Sequence, residues 1–387
     1  MDAVTQDIGK AKFRFKGDLT ILILVGLLSV ISIIVVYSTG GNKVLHHLVH
    51  LVFCYAGLFV FYFLDYRKLV SNFAFFGMLL AGFLLVVTCL SKAVRGVTLF
   101  GHDVQTFYLI GLLVIIFLTN YIGRRYNSGQ IELTSKQMNY CMAWLLVFCA
   151  GIAALNMSTA IILFATGIVI FYTGNFKLSR LAALMALVVV VVGLLALVVM
   201  HGADDGSSKI GRMGTFVNRL EYYFTKENEN GYGDQMILAR AAIARSGLSP
   251  AGPGKGVIKN RLPENDTDYA YASLFEETGL GVGILVLVIY MMIFYRSWKV
   301  SRESKNAMGA LLSFGLGFWF TCQALVHIGV NCELLPATGQ TLPFISSGGA
   351  SLFVSGCAMG LLLSVSRKNL EDNAKADPRS MFIRRER

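Results

Sequence analysis

The segment Leu262-Pro-Glu-Asn-Asp-Thr-Asp-Tyr-Ala-Tyr-Ala-Ser-Leu-Phe-Glu-Glu-Thr-Gly279 gathers Glu264, Asp266, Asp268, Glu276 and Glu277 where a long polar stretch runs into an apolar one. On a helix Asp268, Ala272 and Phe275 share a face, with Glu276 and Gly279 beside it. One charge at mid-bilayer costs roughly 2.5–3.5 kcal/mol, and a Leu returns only about 0.5. Glu276 and Glu277 must therefore be shallow, face a cavity or pair. A structural ion pair is one reading. The other is a carboxylate in a low-dielectric pocket, whose raised pKa suits a general base.

Two further segments hold groups fit for chemistry. Gly247-Leu-Ser-Pro-Ala-Gly-Pro-Gly-Lys-Gly256 forces a compact turn and lets backbone N–H groups approach a ligand. Lys255, Lys259 and Arg261 follow, so an anion such as pyrophosphate would suit the loop. A solvated basic loop is the alternative, since no P-loop spacing is present. Asn331 to Ser351 holds two prolines and three glycines, Pro336, Pro343, Gly339, Gly348 and Gly349. Such irregular backbone at membrane depth is tolerated where protein buries it or a cavity is lined by it. That predicts a re-entrant wall. His327 reads as a hydrogen-bonded core histidine rather than a base. The seven cysteines mostly lie in apolar runs without a CxxC pair, which reads as packing rather than a disulfide or metal framework.

The elements that must position these groups are membrane helices. Of 387 residues 55% are hydrophobic and 15% charged, against about 25% charged in a soluble protein. The fold class is an all-α integral membrane protein of about ten transmembrane helices. The spans fall at about 19–38, 45–64, 70–90, 105–122, 138–155, 157–173, 179–200, 269–295, 308–329 and 349–366. A tail, 1–18, precedes a membrane domain over 19–366, and a basic tail, 367–387, follows it. The tail reads as disordered at an anionic membrane surface. The first span is too long for a signal-peptide core and reads as uncleaved. The segments on the N-terminal side hold 22 Lys and Arg, and the opposite short segments only Lys43, Lys92 and Arg95. By the positive-inside rule both termini are cytoplasmic. The 201–268 loop and the 339–349 loop then face outward. The net charge of +11 follows from this topology, so no nucleic-acid partner is called for.

Three signatures, in order, resemble the SEDS family of ten-span peptidoglycan glycosyltransferases, FtsW and RodA. The first is Gly231-Tyr-Gly-Asp-Gln235 with Ser246-Gly-Leu248 and Gly252-Pro-Gly254. The second is Leu262-Pro-Glu264, Thr267-Asp-Tyr269 and Glu276-Glu-Thr-Gly279. The third is Leu335-Pro-Ala-Thr-Gly-Gln-Thr-Leu-Pro-Phe-Ile-Ser-Ser-Gly-Gly349. The resemblance spans roughly residues 18–368, and the long N-terminal and basic C-terminal tails lean towards the FtsW branch. The resemblance implies a lipid II substrate, with Asp268 as the catalytic base of an inverting transfer that releases undecaprenyl pyrophosphate. Arg95, Arg212, Arg219, Gln235, Lys255, Lys259, Glu264 and Ser346 become candidate substrate or pyrophosphate contacts. Thr267, Glu276, Glu277, Gly348 and Gly349 become supporting residues. No covalent cofactor is implied, and a divalent Mg or Mn ion is an open expectation. Expected partners are a class B penicillin-binding protein, a transpeptidase, and proteins of a division or elongation complex. The expected location is the bacterial inner membrane.

The chain departs from the family pattern at several places. Arg95 with Gln105 resembles an Arg-Trp and Gln-Pro-Ser-Glu segment, but Gly96 stands for Trp and Thr106-Phe-Tyr108 for Pro-Ser-Glu. Asn156 stands for Asp, His327 for Asn and Ser347 for Tyr. None touches Asp268. The competing readings are an elongation-type polymerase, a lipid-linked precursor flippase and a non-catalytic division scaffold. Transporters usually carry inverted repeats, which the halves of this chain do not show.

Overall fold

Helix α1, Leu19–Thr39, starts where the Asp18 carboxylate accepts the Thr20 and Ile21 N–H groups, satisfying donors that an uncapped helix end leaves bare. The computed structural model describes residues 15–91, 97–99, 102–202, 219, 222–225, 233–247 and 249–376. Gly40, at φ 142°, turns the chain into α2, Gly41–Phe63. After α3, Tyr66–Leu90, a short antiparallel hairpin pairs β1, Val97–Leu99, with β2, His102–Val104. Helices α4, Thr106–Asn127, α5, Ser135–Ala153, α6, Met157–Thr173, and α7, Leu178–Gly202, follow. Thr134 and Gln137 cap α5 reciprocally, and Asn156 caps α6 through the Thr159 N–H. Beyond the long loop come α8, Asp234–Ser246, a 3-10 turn at Lys259–Arg261, α9, Ala270–Glu303, α10, Ala307–Asn331, and α11, Gly349–Ala376.

Among the described residues seven helices are long and apolar enough to cross a membrane: α1 to α4 and α9 to α11. Helices α5, α6 and α7 stand at the fifth, sixth and seventh expected spans. The core lies where α4, α10 and α11 meet their neighbours, whereas α3 and α7 leave Phe73, Phe76, Leu79, Val189 and Leu194 exposed, as a lipid-facing helix does. Small residues set the closest crossings. A side chain at Gly356 or Gly360 of α11 would strike the Cys54 or Leu58 carbonyl of α2. Gly111 of α4 seats Trp319, and Gly123 lies against the Met308 backbone of α10.

Two observed elements run further than the spans expected from apolarity. Helix α9 continues through Arg296 to Glu303, since no Pro or Gly stops it where the apolar run ends. It is also broken: Gly279 sits at φ 77°, ψ −173°. Helix α11 continues to Ala376, so residues 367–376 are helical rather than part of a disordered tail. Ion pairs hold that extension. Lys368 meets Asp65 at 3.3 Å and Glu371 at 2.9 Å, and Arg67 pairs with Asp372. At the same end Arg296 pairs with Asp18 at 2.6 Å, and the Arg367 guanidinium donates to the Phe63 and Leu64 carbonyls.

Candidate active site

At the opposite end of the bundle the polar groups converge. Residues 263–269 form successive turns before α9. Glu264 takes φ 56°, and its carbonyl accepts the Thr267 and Tyr269 N–H groups. Its carboxylate accepts the Thr267 hydroxyl at 2.5 Å. This tight coil places Asp268 one residue outside the helix cap, at Tyr269. Asp268 is 6% exposed. It precedes α9 instead of sharing the helical face with Ala272 and Phe275.

The 332–348 loop closes over that coil. Ser346 Oγ donates to the Thr267 carbonyl at 2.7 Å and accepts the Leu342 N–H at 2.8 Å. The Ser347 N–H donates to the Asp266 carbonyl at 2.8 Å. A Cβ at Gly339 would lie 3.6 Å from Asp268 Oδ2, an ordinary contact distance, so the loop backbone faces the carboxylate there. Gly348 leaves room for Ser351, and Gly349 packs on the His50 ring of α2. The loop is therefore a wall facing the Asp268 turn. It is tied back as well: the Tyr108 hydroxyl accepts the Thr341 N–H at 3.1 Å, and Gln340 donates to Thr159 at 2.6 Å.

Glu276, Glu277 and Lys259 form a separate cluster. Glu276 accepts the Val257, Ile258 and Lys259 N–H groups at 2.8–2.9 Å, and Glu277 accepts the Gly254 N–H at 3.0 Å. Lys259 pairs with Glu277, both side chains almost wholly buried, and donates to the Ser38 carbonyl at 2.6 Å. The Ala251 and Gly252 N–H groups cap the Glu276 and Glu277 carbonyls where α9 breaks. The Gly-rich loop thus spends three of its N–H groups on α9, and Val257, Ile258 and Lys259 just beyond it supply three more. Neither Lys259 nor these donors face an open anion site; the paired alternative describes them. Charge-assisted bonds of this kind contribute about 1.5–3 kcal/mol each.

The remaining candidates are dispersed. Lys255 is exposed on the Gly-rich loop, and Gln235 is half-buried in the first turn of α8. Arg219 is half-buried, while Arg95 and Arg212 lie outside the described residues. His327 is a buried hydrogen-bonded histidine: Nδ1 is 2.7 Å from the Gln340 carbonyl and Nε2 is 3.4 Å from the Tyr271 nitrogen. Among the described residues no three His, Cys, Asp or Glu side chains group to hold a metal ion. Burial raises the Cys332 thiol above its ordinary range, so it stays protonated at neutral pH.

Sequence reasoning missed Lys43, Asn331 and Tyr108. Lys43, at the start of α2, reaches Asp266 at 2.9 Å across 223 residues of chain. A lone cation entering an apolar span was its only signal. Asn331 donates to the Asp268 carbonyl at 3.2 Å. Tyr108 was noted only as a lost carboxylate.

A bundle of apolar helices with a broken helix, a loop wall and a buried carboxylate at one end defines a polytopic membrane protein with an end-on site. The family model described as cell cycle protein, covering FtsW, RodA and SpoVE, matches residues 15–371, and the chain belongs to that family. A probable peptidoglycan glycosyltransferase FtsW of Francisella salina is 30% identical over 317 residues, 79% of this chain and 74% of that one. One of the same name from Coxiella burnetii is 27% identical over 366 residues, 89% and 93% of the two chains. The fold matches a chain from a peptidoglycan synthase complex that coordinates polymerization and crosslinking, with TM-score 0.71, 19% identity and 92% and 99% coverage. It also matches the rod shape determining protein RodA of Thermus thermophilus, with TM-score 0.60, 18% identity and 91% and 97% coverage.

Proposed function

We propose that this chain is a peptidoglycan glycosyltransferase of the FtsW type, polymerising lipid II into glycan strands for the division septum. The observation that supports this best is the place of Asp268, a buried carboxylate in the turn facing Gly339, in a chain of this family. In this reading Asp268 takes the proton from the acceptor 4-hydroxyl. That oxygen attacks the donor anomeric carbon with inversion, and undecaprenyl pyrophosphate leaves. The leaving group gains negative charge, so cations should surround it. Lys255 is exposed and available for this part; Lys43, exposed but paired with Asp266, and Arg95, Arg212 and Arg219 are further candidates. The described side chains do not build a metal cage, so a Mg or Mn ion would arrive with pyrophosphate oxygens as its main ligands.

The chain would act in the bacterial inner membrane with both termini cytoplasmic and the Asp268 end outward. A class B penicillin-binding protein is the proposed partner, crosslinking the strands. The test is polymerisation of lipid II by the purified chain with that partner. Asp268→Asn should abolish polymer while the protein still folds. Full rate in that variant removes the base role, and loss of the folded protein favours a structural carboxylate. Depletion in cells should give filaments; spheres would assign the chain to elongation. Lipid II translocation in vesicles without polymerisation would assign it as a flippase.

A further inference from the structure

We propose that His327 and Asn331 are positioning residues for Asp268, acting as a helix cap supplied from a neighbouring helix. This rests on Asp268 being the base. At the start of helix α9 the cap residue, Tyr269, makes no side-chain capping bond to the first turn. The first intrahelical bond closes at Ser273, whose N–H donates to the Tyr269 carbonyl. The donors before it need other partners, because a buried N–H left unpaired costs about 1–3 kcal/mol.

Helix α10 supplies two of them. The Tyr271 N–H points to His327 Nε2 at 3.4 Å, and the Ala272 N–H donates to Asn331 Oδ1 at 2.9 Å. Residues 327 and 331 are four apart, so they lie on one face of α10. An N-terminal cap normally comes from the residue preceding the helix. Here that place is taken by the turn that carries the carboxylate, and the capping atoms come from 56 and 59 residues away.

Both capping side chains reach further. Asn331 Nδ2 donates to the Asp268 carbonyl at 3.2 Å and to the His327 carbonyl at 2.8 Å. Because His327 Nε2 accepts, Nδ1 carries the proton and donates to the Gln340 carbonyl at 2.7 Å. Gln340 adjoins Gly339, the residue facing Asp268 Oδ2. One amide and one imidazole thus tie the Asp268 backbone, the start of α9 and the facing wall into a single frame. Asn331 is fully buried and His327 is 1% exposed, so neither touches solvent or a large substrate. Their effect on the reaction runs through the placement of Asp268.

The test pairs two readouts on the full chain in detergent with its partner. Hydrogen exchange of the 268–273 amides reports the cap without any reaction. Lipid II polymerisation per folded chain reports the placement. His327→Leu and Asn331→Ala should speed exchange in that segment and lower kcat roughly ten- to a hundredfold with KM little changed, the size expected of a misplaced catalytic group. His327→Gln places an amide oxygen at the reach of ring Nε2, where the Tyr271 N–H donates, and should recover most of the slow exchange. Unchanged exchange in His327→Leu and Asn331→Ala overturns the cap. Faster exchange with wild-type rate per folded chain overturns the positioning role. A wild-type chain that polymerises nothing overturns the functional reading and the positioning role together, while the exchange result still judges the cap.

Discussion

Lys259→Met leaves Glu277 buried without its cation, and removing one partner of such a pair costs about 3–5 kcal/mol. The single variant should melt well below the parent in detergent. Lys259→Met with Glu277→Leu should recover most of the loss, because an apolar pair of similar volume needs no counter-charge. A single variant that melts like the parent sinks the ion-pair assignment. At this scale the sequence marked the carboxylates that gather before and inside α9 but left their division open. Asp268 is separated from Glu276 by only eight residues, yet they belong to different clusters. The partners that separate them are distant in sequence: Glu276 binds amides 17 to 19 residues away, and Asp268 answers to Asn331 across 63. Hydropathy and spacing carry no information about such long-range partners. The backbone donors around the Gly-rich loop were hidden for the same reason, since they face the Glu276 and Glu277 carboxylates and carbonyls that the chain itself provides.

Among the elements, α9 and α11 bear the strictest backbone demands. Gly279 at φ 77°, ψ −173° occupies a region that is essentially reserved for glycine. A Cβ there would also lie 3.3 Å from the Gly247 carbonyl oxygen and from Pro250. Gly279→Ala should therefore cost about 1–3 kcal/mol and loosen the Gly-rich loop, read as a lower melting temperature and earlier proteolysis near Pro250. Gly356→Leu should part α11 from α2, because the Cys54 carbonyl already occupies the space a side chain needs. Loss of folded chain in detergent is the expected result, and normal yield with normal melting would count against the close crossing. Helix existence was legible from apolar runs. The break in α9 was not, since a glycine in an apolar run reads equally well as a packing residue. The helical extension to Ala376 was also hidden, because its stability comes from Asp65 and Arg67 in a distant turn.

For the whole molecule, polar chemistry is divided between two ends. One end holds the Asp18–Arg296, Arg67–Asp372 and Asp65–Lys368 pairs. The other holds the Asp268 turn, the buried Lys259–Glu277 pair and the loop over them. The charge count that assigned a side to the short segments assigns the same side to each of those first three pairs. If Asp268 is the base proposed above, its end faces the side where lipid-linked sugars are joined, and the two ends face opposite compartments. Asn260, exposed in the 3-10 turn, and Glu132, exposed between α4 and α5, mark them. In intact spheroplasts a membrane-impermeant maleimide should label Asn260→Cys above the parent level. Glu132→Cys should be labelled only after permeabilisation. The reverse pattern would turn the Asp268 end inward, away from a periplasmic acceptor strand, and no polymerase reading of the site could survive it.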